Sequence, residues 1–290
     1  MKDFDYVAPA TLKETLELLD RSREQAKIMS GGTDLVPLLK SDQTSPQLII
    51  DVGKLTELDY IREVNEELRI GALTTHATIE KSELIRKKAR SLAEAAHEVG
   101  TAQIRNLGTI GGNLCNASPA ADTAPPLLAM NAAIRVAGPQ TDRTVPLREF
   151  FVGVKKTVLG NHEMVTEIRI PAEWSGTKQA FVKLGKRNAN ALSVASTAVA
   201  LRFEKNICTE VGIALGSVAP TPLIAAKARE VLRGHEIDQS ILDKVCETAK
   251  QEVNPITDMR GTAEYRREMS GVLLRKAIRL ATSRLDQGND

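Results

Sequence analysis

The residues most suited to chemistry in this chain are two Gly-Gly pairs, Gly31-Gly32 and Gly111-Gly112, eighty residues apart. Each follows an apolar segment. The first is flanked by Ser30, Thr33 and Asp34, the second by Thr109 and Asn113. Glycine lets the backbone approach a ligand closely and adopt positive φ, which turns its amide N–H groups into an anion nest. Thr33 and Thr109 add hydroxyl donors, and a diphosphate needs donors on both sides. The same pairs also read as plain tight turns. Neither fits G-x-G-x-x-G or the Walker pattern, so the Rossmann and P-loop folds lose their main support. The residues alone reach as far as a nucleotide-binding protein, with the tight-turn alternative open.

Positioning these pairs falls to a mixture of short strands and helices. Residues 11–20 put Leu12, Leu16 and Leu19 on one helical face, with Thr11 as N-cap and Glu14 completing a capping box. Residues 26–29 read as a strand that breaks at the first glycine pair, 35–39 as a short helical turn, 48–51 as a buried strand, and 60–71 as a hairpin. Helical spacing over 79–99 ends at Gly100. The run TIGGNLCNASPAAD (109–122) is expected to be neither helix nor strand, yet apolar enough to be buried. Its backbone polar groups then need partners, and a bound ligand is one source. Residues 132–137 and 164–170 return as strands. The polar stretch 173–178 is the expected domain boundary, with Trp174 as an interdomain plug. Strands over 181–184, 193–203 and 207–215, then helices over 223–233, 237–253 and 262–284, make an α+β unit.

Composition removes several classes. The 290 residues carry 39 basic and 37 acidic side chains, a net +2 with both signs scattered, so no single-sign field draws nucleic acid or anionic lipid. Five Phe, three Tyr and one Trp are too few for a base-stacking platform. Cys115, Cys208 and Cys246 stand far apart, which argues against a disulfide framework, a zinc site or an iron–sulfur cluster, the last needing about four thiolates. Cys115 is expected as a small buried thiol. His76, His97, His162 and His235 lack metal spacing and are expected in packing or surface roles. Arg260, Arg266, Arg267 and Arg275 are expected on a basic interface or a solvated helix face. The start MKDFDYVAPA does not read as a signal peptide, and no run approaches the ~18 apolar residues of a membrane span, so cytoplasmic residence is expected.

Longer stretches carry a resemblance. Ser30-Gly31-Gly32-Thr33-Asp34-Leu35, Gln103-Ile104-Arg105-Asn106, Thr109-Ile110-Gly111-Gly112-Asn113-Leu114-Cys115-Asn116 and Asp122 resemble the FAD-binding subunit of the molybdenum hydroxylases. That family includes xanthine, nicotinate and carbon monoxide dehydrogenases. The likeness continues through Phe181-Val182-Lys183-Leu184 and Arg260-Gly261-Thr262-Ala263-Glu264-Tyr265-Arg266-Arg267, spanning essentially the whole chain. It implies an α+β architecture: a two-subdomain FAD-binding domain of the vanillyl-alcohol-oxidase/PCMH type over 1–174 (subdomains about 1–52 and 53–174), then a C-terminal α+β domain, an antiparallel sheet with helices, over 178–290. By the same resemblance Ile28, Met29, Ser30, Gly31, Gly32, Thr33, Asp34 and Leu35 form the first FAD loop, and Thr109, Ile110, Gly111, Gly112 and Asn113 the second. Asp122 takes the place of a carboxylate near the ribityl and adenosine portion, where an isolated loop Asp would otherwise cap the following helix. Val165 corresponds to an aliphatic residue against the adenine or the ring system. Lys183 corresponds to a flavin-contacting lysine whose charge favours the reduced, anionic flavin; on residue type alone it is a surface strand lysine. Val99 falls where some relatives place an aromatic against the flavin.

The resemblance also implies a division of labour, because the chain shows neither cluster ligands nor a molybdopterin signature. A large molybdopterin subunit hydroxylates the substrate, a small subunit with two [2Fe–2S] clusters relays electrons, and FAD on this chain passes them to NAD or another acceptor, in a dimer of heterotrimers. Asn116-Ala117-Ser118-Pro119 and the Arg-Gly-Thr-Ala-Glu-Tyr-Arg-Arg ending lean toward xanthine or another N-heterocycle as substrate. The rivals are a free-standing flavin oxidase of the same fold, and a non-catalytic assembly factor that has lost the cofactor.

Overall fold

The computed structural model describes residues 2–188 and 190–283. The expected helix over 262–284 and the C-terminal unit to 290 therefore end partly outside the described residues. Three parallel strands open the fold in the order Asp5–Val7, Leu48–Asp51, Ala26–Met29. The helices Leu12–Ser22 and Leu35–Lys40 make the crossovers that parallel pairing requires. Thr11 caps the first of these, accepting from the Glu14 amide, and the Glu14 carboxylate reaches back to the Ala10 amide, one residue earlier than an ideal capping box. The first glycine pair sits just past the C-terminal end of Ala26–Met29, the end of a parallel strand where open sheets usually hold ligands.

A second sheet is antiparallel, in the order Ile61–Val64, Glu67–Gly71, Met164–Ile170, Ala133–Ala137, Asp142–Pro146. Short helices cover it. The run expected as one helix over 79–99 is three pieces, His76–Lys81, Glu83–Lys88 and Arg90–His97. Ser82 divides the first two by capping the Ile85 amide, and Ala89, at φ −139°, divides the last two. The segment expected to be irregular contains a helix, Ile110–Cys115, capped by the Thr109 hydroxyl on the Gly112 amide. Its two glycines cost helix propensity, but a Cβ on Gly111 would lie 2.7 Å from the Ala72 carbonyl oxygen, so the close approach outweighs propensity.

The C-terminal sheet, ordered Lys178–Gly185, Ser193–Glu204, Ile207–Gly216, Leu223–Ile224, is antiparallel and buried on both faces. Ala180, Val199, Leu201, Val211 and Ile213 pack on the helices Ala226–Leu232, Gln239–Glu252 and Ala263–Ser283. The alternating set Phe181, Ala198, Ala200 and Ala214 joins the core of the N-terminal unit, together with Trp174. Burial on both faces explains why these strands read as continuous apolar runs rather than as an alternation. The expected helix over 223–233 begins only at Ala226, because Leu223 and Ile224 extend the sheet. The inward set is small for a reason: the helix Ala124–Ala129 lies against it, and a Cβ on Gly212 would stand 1.8 Å from the Ala129 carbonyl oxygen.

Three of the four clustered arginines, all but Arg267, are paired with carboxylates rather than left on a solvated face. Arg260 and Arg266 both turn inward onto Asp258, at 2.7 and 2.6 Å, while Arg275 pairs with Asp243 at 2.6 Å. Burial alone would push the Asp258 carboxyl up, but hydrogen bonds from Arg260 and Arg266 win and hold it well below the ordinary carboxylate range. A depressed carboxylate stabilises the fold above its unfolded pKa, about 3.9, and loses that contribution as pH falls through its folded value. Asp258→Asn should therefore cost about 3 kcal/mol near neutrality. In melting curves across pH, the gap to wild type should hold down to about pH 5 and narrow below about pH 4. Gly212→Ala should cost about 3 kcal/mol at every pH, because the clash is with backbone that cannot rotate away.

Candidate cofactor site

The two glycine segments meet. The Ser30 and Thr109 hydroxyls are 3.0 Å apart, and the Asn116 side-chain amide donates to Asp34 Oδ1 at 2.8 Å. Gly31 lies beneath the end of the helix Ala102–Leu107, where a Cβ would fall 1.8 Å from the Leu107 carbonyl oxygen. Gly32 has φ +68°, in the left-handed region. A larger residue at either position would push the loops apart or strain the turn.

The segments are not equivalent, which departs from the expectation of two like anion nests. The amides of Gly31, Gly32 and Thr33 have no hydrogen-bond partner among the described residues, and neither has the Thr33 hydroxyl. In the second segment the amides of Ile110, Gly111, Gly112 and Asn113 are all spent internally, on Thr74, Ala72 and Thr109. Gly111 and Gly112 serve close packing: a Cβ on Gly112 would lie 3.0 Å from the hydroxyl oxygens of both Ser30 and Thr109. The first segment thus offers an array of free backbone donors suited to a diphosphate, and the second braces it.

A chain of contacts leads from these loops to the domain junction. Asn113 Oδ1 accepts from the Thr123 hydroxyl at 2.6 Å. Next to Thr123, Asp122 does not cap the helix that follows. Its carboxylate takes the Lys183 ammonium at 2.7 Å and the Ser193 hydroxyl at 2.5 Å. Lys183 is no surface lysine, since its side chain is 5% exposed and its ammonium also donates to the Glu98 carbonyl at 2.8 Å. Burial pushes the Asp122 carboxyl up, and the Lys183 charge and the Lys183 and Ser193 hydrogen bonds offset only part of that. Val99 follows Glu98 and is half-buried. Val165 is buried on Met164–Ile170. Ile28 and Met29 end the parallel strand, and Leu35 begins the helix behind the loop.

Cys115 departs from its expected burial: it is exposed. Desolvation by the surrounding protein atoms nonetheless pushes its thiol up to about 12. Sequence reasoning passed over Ser193 and the Glu98 carbonyl. Neither has a spacing signal, because each reaches the site only through sheet pairing and a helix end. His76 is buried beside Gly108 and held down to about 4, first by burial and then by the nearby Arg105 charge. A separate cavity of about 280 Å³, lined by Tyr60, Arg135 and Glu167 among others, shares no residue with the loops. Among the described residues no His/Cys/Asp/Glu group could hold a metal ion, and no helix is long and apolar enough to cross a membrane.

Residues 2–173 match the family model described as the FAD binding domain in molybdopterin dehydrogenase, and residues 180–281 the CO dehydrogenase flavoprotein C-terminal domain. The chain belongs to the FAD-binding subunits of the molybdenum hydroxylase family. It is 35% identical to the carbon monoxide dehydrogenase medium chain of Afipia carboxidovorans, over 97% of each chain. It is 34% identical to the nicotinate dehydrogenase FAD-subunit of Eubacterium barkeri, over 92% of each. Among solved structures, carbon monoxide dehydrogenase from Hydrogenophaga pseudoflava superposes with a TM-score of 0.94 at 34% identity, over 98% of each chain. Two different substrates within one percentage point of identity leave the organic substrate open. Gly31→Ala should lower the flavin-to-protein ratio of purified material at least about tenfold, since a methyl there must push the first loop off the Leu107 carbonyl and spoil its array of backbone donors. A ratio equal to wild type would show that the contact at Leu107 does not matter to the cofactor.

Proposed function

We propose that the chain holds FAD with its diphosphate on the free amides of Gly31, Gly32 and Thr33, and stations it between a cluster-bearing small partner and NAD or another acceptor. The carrying observation is that these three donors, without a partner among the described residues, lie where two remote segments are tied together. The domain limits 1–174 (about 1–52 and 53–174) and 178–290 belong to this reading, as does a dimer of heterotrimers with a large molybdopterin subunit and a small [2Fe–2S] subunit. Cytoplasmic residence fits three unpaired thiols.

Bound FAD would accept electrons singly and pass them on in pairs. The protein's part is positioning and charge. Ser30, Asp34 and Leu35 shape the first loop, while Thr109 and Asn113 brace it from behind. Ile28, Met29, Val99 and Val165 supply apolar walls that keep water from the ring system and the adenine. Asp122 accepts hydroxyl hydrogen bonds from the ribityl and adenosine portion, and Lys183 holds a buried positive charge that favours the reduced cofactor. Organic substrate would meet the large partner. An N-heterocycle such as xanthine is the expectation of the loop wording, although on this chain Asn116 is spent on Asp34 and Lys155, and the Pro119 carbonyl on Ser217.

The intact complex tests this reading. Material isolated under native conditions should contain two further subunits and noncovalent FAD, and the isolated chain should be yellow yet unable to turn over purine or aldehyde. Covalent flavin would favour the free-standing oxidase, and colourless protein that refuses added FAD would favour the assembly factor. Lys183→Met should lower the flavin midpoint potential by about 30 mV or more, the two-electron equivalent of a tenfold change. An unchanged potential would remove Lys183 from the ring system.

A further inference from the structure

Arg266 is among the largest fully buried side chains in the molecule, 1% exposed on the helix Ala263–Ser283. Burying a guanidinium is costly, and an apolar side chain of similar size would often serve stability as well or better. What Arg266 touches suggests another use. Its Nη1 donates to two carbonyls at once, Val194 at 2.6 Å and Ser217 at 3.0 Å, while its Nη2 is neutralised by Asp258 at 2.6 Å. The two carbonyls belong to different strand ends, the start of Ser193–Glu204 and the loop just past Ile207–Gly216.

Each of those ends carries a contact to the same short segment of the FAD-side unit. Ser193, the neighbour of Val194, donates its hydroxyl to Asp122. Ser217 donates its own amide to the Pro119 carbonyl at 2.8 Å, and does so at φ +63°, a conformation a serine rarely holds without support. One planar fork therefore fixes the spacing of two donors that grip residues 119–122 from the C-terminal sheet. A lysine would carry the charge without that geometry.

We propose that Arg266 is a positioning residue for the cofactor site: through Val194 and Ser217 it sets Ser193 and the Ser217 amide against residues 119–122, and so aims the Asp122 carboxylate. This rests on the assignment of Asp122 to FAD made above. The test uses the full chain, stripped of flavin and titrated with FAD, following binding and the visible spectrum of the bound cofactor. Arg266→Met should weaken FAD binding about tenfold or more and shift the bound spectrum. Arg266→Lys should do so to a lesser degree, and guanidinium ion added to Arg266→Ala should restore binding toward wild type. Leu274→Ala, a cavity on the same helix, should lower the melting temperature while leaving FAD affinity and spectrum unchanged.

If Arg266→Met binds FAD with wild-type affinity and spectrum, the positioning role is wrong and the guanidinium is only a fold element. The same conclusion follows if Leu274→Ala weakens binding as much as Arg266→Met. Should Arg266→Met fail to fold, Arg266→Lys and the guanidinium rescue decide by the same readouts. A wild-type chain that takes up no FAD would overturn the cofactor reading itself, and the proposal with it, and is recognised without any variant.

Discussion

The structure depends on one close approach: the loop after the strand Ala26–Met29 lies against the helix Ala102–Leu107 and the capping residue of Ile110–Cys115, with no room for a side chain on Gly31. Backbone packed against backbone excludes water and removes conformational freedom, yet it leaves the amides of Gly31, Gly32 and Thr33 without partners among the described residues. Free donors held rigidly in this way pay little reorganisation on meeting an anion. The second glycine pair contributes by packing rather than by donating outward, because the Gly111 amide already donates to the Ala72 carbonyl and the Gly112 amide to the Thr109 hydroxyl.

A second constraint lies at the junction between the two units. Asp122 and Lys183 come from opposite sides of it, and both are too buried to exist as lone charges. Ser193 and the Glu98 carbonyl complete the set, so that each charge has more than one partner. The ion pair is therefore both a weld and a pair of polar groups placed beside the loop assembly. The sheet carrying Lys183 can come this close because Ala198, Ala200, Gly212 and Ala214 present a nearly smooth face to the helix Ala124–Ala129.

Much of this was legible in the residues. The order of strands and helices and the two glycine segments left marks in spacing and composition, and the motifs carried the family. Legibility failed where tertiary contact overrode local preference. Gly111 and Gly112 argue against helix until Ala72 and Ser30 are seen to occupy the space of their missing side chains. Asp122 looks like a helix cap until the sheet brings Lys183 to it, and Arg266 looks like one more surface arginine until Asp258, Val194 and Ser217 close around it. Such partners lie 49 to 72 residues away, except for Asp258, and no local pattern reports them.

The central claim is that the first glycine loop grips a diphosphate, and competition binding addresses it most directly. With the flavin removed, the chain should bind FAD and be competed by ADP, which carries the diphosphate and no ring system, whereas riboflavin, which carries the ring system and no phosphate, should compete poorly. Riboflavin displacing FAD as well as ADP does, or ADP failing to displace it at all, would contradict the account.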